Sequence, residues 1–260
     1  MRSRKLSCFV IACNEADRIA ACLEPLAGWV DQLLVLDSGS QDDTVAIAER
    51  YASEVHQTDW PGFGAQRNRA LALCKHEWVL NVDADEVVSD RLKDEIDRVL
   101  SQPSLPCNLI EIPWHTMLFG KPLRFGRYSS PQGKLFRKEG ARFKDRRVHE
   151  TLEIQAPKVR VLKAPLVHYS WRDYEHLQQK HLQYAILIAE QKYAAGKRSS
   201  LAYAGLRFVT DFTQQYLLRL GFLDGWRGFL MAMVLAQYAF NKYAALVALQ
   251  HCETTARVSG

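Results

Sequence analysis

The sequence predicts an α/β protein with a mostly parallel, doubly wound sheet and a helical C-terminal region. In the first hundred residues, short apolar runs alternate with segments of helical spacing, which is typical of βαβ units. From Asp173 onward the apolar residues recur at helical spacing alone. The 260 residues are 48% hydrophobic and 24% charged, so the composition excludes a largely disordered or low-complexity chain.

Each element of the first hundred residues has its own signal. Four apolar runs are interpreted as buried strands, and polar turns separate them from segments with a helical apolar face. Asp42 or Asp43 can cap the second helix. The predicted strands cover residues 6–12, 33–36, 54–57 and 78–82, and the predicted helices begin near residues 19, 43, 65 and 90.

The alternation of apolar runs with segments of helical spacing ends after Pro103. Residues 104–170 carry prolines, glycines and short apolar runs at 109–112, 134–136 and 159–162, which predict strands and loops that extend the sheet and cover its edge. Three helices are predicted at 174–194, 201–220 and 228–249. We therefore expect a domain at 1–170, with halves at 1–100 and 101–170, and a helical region at 171–260.

Polar residues follow three of the predicted strands. Asn14 and Glu15 follow the first strand, Asp37 ends the second, and Asp83 and Asp85 end the fourth. Right-handed crossovers place every strand-to-helix turn at the same edge of a parallel sheet, where ligands bind. These five residues are therefore expected to converge.

The acid pair Asp83 and Asp85 is the strongest chemical signal. Carboxylates two residues apart at a strand end can face the same way, and a divalent cation would offset their repulsion. Mg²⁺ or Mn²⁺, held by one or two carboxylates and by the phosphates of a nucleotide, fits this pattern. The alternative is a solvated acidic turn that caps the next helix. For Asp37, which can bind a nucleotide, the alternative is a structural turn residue.

Two common nucleotide-binding motifs are absent from the sequence. No GxGxxG follows the first strand, and no GxxxxGK[ST] occurs, so dinucleotide and P-loop sites lack support. Six scattered cysteines without CxxC spacing do not predict zinc or a disulfide framework.

Four blocks, taken together, resemble the GT-A fold of family-2 inverting glycosyltransferases in their order and spacing. One departure is Ile11, which stands near the place where such proteins commonly have a proline. The blocks are residues 12–15 (ACNE), 35–44 (VLDSGSQDDT), 66–68 (QRN) and 81–86 (NVDADE).

The resemblance implies roles for the residues of these blocks. It places Asp83 and Asp85 at the ribose and the metal–diphosphate group. Arg67 would face the pyrophosphate, or would otherwise be a solvated helix residue. The nucleotide pocket would be lined by Asn14, Glu15, Asp37 and Asn68, with Asp37 at the base, usually uracil.

Three further segments narrow the resemblance. Residues 60–68 (WPGFGAQRN), 147–150 (RVHE) and 221–225 (GFLDG) are similar to lipopolysaccharide inner-core β-1,4-glucosyltransferases of Gram-negative bacteria. This implies UDP-glucose as donor and a heptose of the lipopolysaccharide core as acceptor.

An inverting transfer needs a base that takes the proton of the acceptor hydroxyl. Glu150 is the predicted base, because acids in this part of the resembling enzymes have that role. The alternative is a salt bridge with Arg146 or Arg147, and Glu86 and Asp145 are kept as further candidates for the base. His168 is a candidate third metal ligand, or otherwise a hydrogen-bonded strand histidine.

Positive charge is concentrated in one segment. Residues 121–147 contain ten basic and two acidic residues, whereas the whole chain has a net charge of +5. A basic loop beside the site would stabilise a departing diphosphate and attract an acidic acceptor. No nucleic-acid motif accompanies it, and nucleic acid is not expected as a partner.

The last predicted helix is apolar nearly all round, so it is either buried against other helices or a second subunit, or lies at a membrane interface. No run of about 18 uninterrupted apolar residues occurs, and the first residues lack a signal-peptide pattern. We expect a cytoplasmic enzyme, with a peripheral position on the inner face of the inner membrane as an option.

Three other functions stay open. The same enzyme class could act on another polysaccharide, a protein or a lipid carrier. A nucleotidylyltransferase would need a glycine-rich loop where Asn14 and Glu15 stand. A membrane-docked, anion-binding scaffold would use only the basic segment and the helices.

Overall fold

A computed structural model describes residues 2–144 and 151–258, with side chains described up to residue 252. The chain forms two compact units. The first comprises residues 1–115 and 130–169, and the second comprises residues 116–129 and 170–260.

The first unit is built on a seven-stranded sheet with the order β12-β6-β9-β4-β1-β2-β3. Parallel pairing joins β4, β1, β2 and β3, and also joins β12 to β6. In chain order, the strands of the described residues are β1 Leu6–Ala12, β2 Gln32–Asp37, β3 Glu54–Gln57, β4 Trp78–Asp83, β5 Glu86–Val87, β6 Leu109–Ile112, β7 Trp114–Leu118, β8 Lys121–Leu123, β9 Gln132–Arg137, β10 Arg142–Phe143, β11 Leu152–Glu153, β12 Val159–Val161 and β13 Leu166–His168.

Helices cover both faces of this sheet. On one face Val10, Val35 and Leu80 pack with residues of α1, α2 and α4, and on the other Phe9 and Leu36 pack with α3. Every residue of β1 and β2 is buried, as expected of parallel strands covered on both sides. The helices are α1 Ile19–Leu23, α2 Thr44–Ala48, α3 Phe63–Leu73, α4 Asp90–Leu100, α5 Tyr174–Ala194, α6 Leu201–Thr213 and α7 Trp226–Val258.

Strand β9 reverses the direction of the sheet. It runs antiparallel to both β4 and β6, so the sheet is mixed at this point and β9 brings its residues beside the end of β4. A second reversal pairs β13 antiparallel with β5, with His168 opposite Glu86. Both pairings bring later parts of the chain to the edge where β4 ends.

The second unit contains the three long helices. Its core joins Leu118 and Leu123, from the β7–β8 hairpin, to Leu177 of α5 and to Met231 and Leu235 of α7. This packing explains why residues 116–129 belong to the helical unit, whereas the sequence assigned them to the sheet domain. Helix α7 has the length and apolar composition of a membrane span by those two criteria alone.

The predicted fold class of a mostly parallel α/β sheet followed by helices is confirmed. One long helix was predicted at 201–220. Instead α6 ends at Thr213. A π-helical turn, Gln214–Leu218, follows it directly, and a 3-10 turn, Gly221–Asp224, comes next. Leu220 adopts a left-handed conformation between the two turns, which ends the helical hydrogen-bond ladder there.

Candidate active site at the carboxyl edge of the sheet

The turns after β1 and β2 are joined by hydrogen bonds. The backbone N–H of Asn14 donates to Ser40 Oγ at 2.8 Å, and the Gln41 N–H donates to Asn14 Oδ1 at 2.8 Å. The Glu15 N–H donates to Thr44 Oγ1 at 2.8 Å. Asn14 has a φ of 55°, a left-handed conformation that asparagine tolerates better than most residues. These bonds place Asn14 and Glu15 beside the turn that begins with Asp37.

Asp37 has no exposed surface and holds its own turn. Its Oδ1 accepts from the N–H groups of Gly39 and Ser40, both at 2.9 Å, and its Oδ2 accepts from the Ser40 hydroxyl. This is the structural turn role that the sequence left open for Asp37.

Asp83 lies in a buried cluster of four charges. Arg67 Nη2 is 2.5 Å from its Oδ1, and Lys134 Nζ is 2.7 Å from its Oδ2. Lys134 Nζ is also 2.8 Å from Oε2 of Glu86. Glu86 has no exposed surface, Lys134 is 5% exposed and Arg67 is 7% exposed. Two acids and two bases therefore balance each other in a largely buried cluster, in which the Asp83 side chain stays 25% exposed.

The charges of this cluster shift the pKa values of its members. Burial alone would raise the pKa of Asp83, but the charges of Arg67 and Lys134 lower it well below its usual range. Burial raises the pKa of Glu86, with only partial opposition from Lys134. Burial would lower the pKa of Lys134, but the two carboxylates raise it. Asp83 and Lys134 are thus both held in their charged forms.

Glu86 is fixed by further hydrogen bonds. Its Oε1 accepts from Trp114 Nε1 at 2.7 Å, and its Oε2 accepts from the Asp83 N–H at 2.9 Å. With these donors and with no exposed surface, Glu86 is not positioned to take a proton from an acceptor molecule. It holds Lys134 and the end of β4 in place.

Asp85 faces His168 and Arg18. Its Oδ2 is 3.4 Å from His168 Nε2 and 3.8 Å from Arg18 Nη1. Arg18 also places Nε 2.9 Å from Glu15 Oε2, so one arginine joins the turn after β1 to the turn after β4. His168 packs on Trp114, with ring centroids 4.5 Å apart.

The Asp85–His168 pair fits a divalent cation. Metal–ligand bonds of about 2.1 Å at right angles would separate neighbouring ligand atoms by about 3 Å, close to the observed 3.4 Å. Among the described residues no group of three or more His, Cys, Asp or Glu side chains is placed to hold a metal. Such an ion would therefore need donor oxygens from a diphosphate and water. Asp83, the other predicted ligand, already has one cationic partner on each carboxylate oxygen, Arg67 on Oδ1 and Lys134 on Oδ2.

Asn68 is occupied by the β10 strand. Its Nδ2 donates to the Phe143 carbonyl at 2.8 Å, and its Oδ1 accepts from the Phe143 N–H at 2.9 Å. Asn68 therefore connects α3 to β10, and a direct contact with a nucleotide stays a prediction. Glu150, the predicted base, lies outside the described residues, as do Asp145, Arg146 and Arg147.

Sequence reasoning misjudged Lys134 and overlooked Arg18. Lys134 was counted among the charges of a basic loop beside the site, but it is buried in β9 and precedes two buried residues. The segment 121–147 is not one loop, because Lys121, Arg124 and Arg127 belong to the second unit. A lysine beside the apolar run Leu135–Phe136 was the available signal for a buried charge. Arg18, three residues after Glu15, was the corresponding signal at the first turn.

Comparison with known proteins gives a consistent result. A model of the family described as glycosyl transferase family 2 matches residues 7–150. An uncharacterized glycosyltransferase of Rickettsia felis is 31% identical over 253 residues, covering 93% of this chain and 89% of that protein. The lipopolysaccharide core biosynthesis glycosyltransferase LpsC of Rhizobium meliloti is 27% identical over 253 residues, covering 90% of this chain and 89% of that protein.

Solved structures give weaker matches. A mycobacterial protein is 19% identical, covers 72% of this chain and 74% of its own, and has a TM-score of 0.48. Glucosyl-3-phosphoglycerate synthase from Mycobacterium tuberculosis, solved with Mn²⁺, UDP and glucosyl-3-phosphoglycerate, is 22% identical, covers 53% and 58%, and has a TM-score of 0.39. The family model spans more than half of the chain and the Rickettsia relative nearly all of it, which confirms the resemblance to family-2 glycosyltransferases and the GT-A type of α/β fold. The chain belongs to glycosyl transferase family 2.

Proposed function

We propose that this glycosyltransferase is a metal-dependent, inverting hexosyltransferase that moves glucose from UDP-glucose onto a heptose of the lipopolysaccharide inner core. The observation that carries the proposal is the arrangement around the end of β4. There a charge-balanced anchor, made by Arg67, Asp83, Lys134 and Glu86, adjoins the pair Asp85 and His168.

The donor is proposed to bind across the turns after β1, β2 and β4. The bonds from the Asn14 N–H to Ser40 and from the Glu15 N–H to Thr44 preorganise a polar rim at this edge, and ligands of parallel α/β sheets bind there. Asn68 would shape this rim through β10. Asp83, held in place by Arg67 and Lys134, would present its partly exposed carboxylate to the ribose.

Asp85 and His168 are proposed to hold Mg²⁺ or Mn²⁺ together with the diphosphate of the donor. When bound, the ion would supply positive charge that stabilises the departing UDP. Arg18 lies 3.8 Å from Asp85. Its positive charge would offset the repulsion between the Asp85 carboxylate and the diphosphate of the donor. Arg67, 2.5 Å from Asp83, adds positive charge close to the same place.

The transfer is proposed to be a single displacement. The acceptor hydroxyl oxygen forms a bond to the anomeric carbon as the bond from that carbon to the β-phosphate oxygen breaks. UDP leaves with the electron pair of that bond, and Glu150 takes the hydroxyl proton. The configuration at the anomeric carbon inverts, and no covalent sugar–enzyme intermediate forms.

The acceptor is proposed from one relative. LpsC, which is similar over 90% of this chain, has a name that places it in lipopolysaccharide core biosynthesis. A phosphorylated, acidic core oligosaccharide would suit an enzyme with a net charge of +5. Another polysaccharide, a protein or a lipid carrier would use the same donor site, so the acceptor needs its own test.

The test is transfer from labelled UDP-glucose to heptose-containing core oligosaccharide, with and without Mn²⁺. We expect metal-dependent product with inverted anomeric configuration by NMR. Glu150→Gln should lower kcat by about 100-fold or more while the donor still binds. Glu153→Gln, which removes a surface partner of Lys144, should retain activity. A retained anomer, or a fully active Glu150→Gln variant, would contradict the mechanism.

A further inference from the structure

Exposed apolar side chains of the second unit occur along α5 and α6 and, as a separate group, around the turns between α6 and α7. The π-helical turn, the 3-10 turn and the first residues of α7 follow each other within residues 214–229, and Leu218 alone is 76% exposed. We call this group, with Phe119 of the β7–β8 hairpin, the apolar tip. Its exposed members are Phe119, Leu217, Leu218, Leu220, Phe222, Leu223, Trp226 and Phe229.

Polar bonds beneath the surface hold the apolar tip in this form. The Asp224 carboxylate accepts from the N–H groups of Arg124 and Phe125 at 3.0–3.1 Å. Arg227 donates to the carbonyls of Leu118 and Phe119, both at 3.1 Å. The Phe119 ring also stacks on Trp226 at 5.9 Å. These hydrogen bonds fix the backbone that carries the exposed apolar side chains, so the fold itself keeps these side chains exposed.

The second unit, which carries the apolar tip, has more basic than acidic residues, and this favours an anionic partner. Residues 116–129 and 170–260 contain 13 basic and six acidic residues, whereas the first unit has 21 basic and 23 acidic ones. Within residues 217–229 the bases are Arg219 and Arg227, and the single acid, Asp224, is used in backbone bonds. A second copy of this face would bring like charges together, whereas an anionic lipid surface complements them.

Helix α7 indicates whether the protein would span a membrane or lie on its surface. Its length and composition suit a membrane span, but Met231, Val234 and Leu235 are buried in the core of the second unit. A spanning position would remove these residues from that core. The exposed aromatic and leucine side chains beside arginines instead match a surface that lies in the headgroup region.

We propose that the apolar tip docks on an anionic lipid bilayer and holds the protein at the membrane surface as a peripheral enzyme. Leu218, Leu223 and Trp226 enter the boundary between headgroups and acyl chains, while Arg219 contacts lipid phosphates. The proposal does not depend on the donor or the acceptor, because it concerns binding without turnover.

The first test is co-sedimentation with vesicles. Wild-type protein should bind vesicles that contain phosphatidylglycerol and should bind pure phosphatidylcholine vesicles at least about tenfold more weakly. Leu218→Glu/Leu223→Glu should lose about tenfold or more of the binding. Val159→Glu is the matched control, because Val159 is 49% exposed and Leu223 is 54% exposed, and Val159 lies in β12 of the first unit. Equal binding by wild type and the double variant, or no binding by wild type, would overturn the proposal.

A second measurement covers the case in which the double variant does not fold. Addition of anionic vesicles should shift the tryptophan emission of wild type to shorter wavelength, and Trp226→Phe should lose most of that shift. An undiminished shift in this conservative variant would overturn the proposal. So would sedimentation equilibrium that showed a dimer in wild type without vesicles and a monomer in the double variant, since the apolar tip would then be a self-association surface.

Discussion

At the residue scale, Lys134 decides whether two acids can coexist at the end of β4. Its ammonium group lies within 2.8 Å of both Asp83 and Glu86 and 5.5 Å from the centre of the Trp114 ring. Removal of one partner from a buried ion pair leaves a charge without compensation, which costs far more than loss of a surface pair. The lysine is therefore expected to support both folding and the site.

We predict that Lys134→Met lowers the free energy of unfolding by about 3–5 kcal/mol at pH 7, measured by urea denaturation. Lys144→Met is the control, because Lys144 pairs with Glu153 at the surface with both side chains about half exposed, and it should cost less than about 1 kcal/mol. Equal losses for the two variants would mean that the buried cluster is not a source of stability.

His181 is a second buried group whose charge matters. Its Nδ1 donates to the Leu177 carbonyl at 2.7 Å, and its Nε2 accepts from the Tyr128 hydroxyl at 2.8 Å. The rings of Trp171 and Tyr238 pack around it. Burial lowers the pKa of His181. The hydrogen bond to the Leu177 carbonyl opposes this effect, and the charges of Lys180 and Arg127 make smaller contributions that lower the pKa further.

We predict that this histidine makes stability fall as the pH drops below about 6.5. In that range the unfolded chain binds a proton that the folded chain does not, at up to about 1.4 kcal/mol per pH unit. The loss ends once the pH passes below the folded pKa. Urea unfolding at pH 7.5 and 5.5 should show a smaller loss for His181→Gln than for wild type. The same loss in both proteins would contradict the assignment.

At the element scale, Gly228 permits the turn that joins α6 to α7, whereas Gly205 lies where any residue would fit. A Cβ on Gly228 would lie 1.8 Å from the Gly221 carbonyl oxygen, whereas a Cβ on Gly205 of α6 would meet nothing within 4 Å. The close approach of α7 to the 3-10 turn therefore requires glycine at position 228. Gly205 has no such constraint.

We predict opposite effects for the same substitution at these positions. Gly228→Ala should destabilise the protein by about 1–3 kcal/mol, because the turn must move away from α7. Gly205→Ala should stabilise it by about 0.5–1 kcal/mol through higher helix propensity. Thermal unfolding of the two variants checks this, and a loss of similar size at both positions would refute the steric explanation.

Element bounds followed the sequence closely where the apolar pattern was strong. The strand Leu6–Ala12 and the helices Asp90–Leu100 and Tyr174–Ala194 have the predicted bounds. A short apolar run marks the strand, and the capping residues Ser89 and Asp173 mark the beginnings of the two helices. The break after Thr213 was not predicted, since leucines continue through it. It depends on packing of Gly221 against α7, and such a contact has no local sequence signal.

At the scale of the whole molecule, topology explains how much of the site was predictable. Right-handed crossovers were sufficient to place Glu15 and Asp85 at one edge, where Arg18 now joins them. The pairing of Lys134 with Asp83 depends on β9 lying antiparallel beside β4. Such a long-range pairing of an inserted strand cannot be derived from periodicity, so the sequence analysis assigned the counter-charge of Asp83 to a divalent cation and not to Lys134.

The measurement that tests the account most directly is calorimetric titration of UDP-glucose into wild type and Asp85→Ala, each with and without Mn²⁺. We predict that binding to wild type requires the metal and that Asp85→Ala loses it while keeping the thermal stability of wild type within about 1 kcal/mol. Arg69→Ala, which removes an exposed pair with Asp59, should bind like wild type. Metal-independent binding, or equal binding by Asp85→Ala, would contradict a metal–diphosphate site at the end of β4.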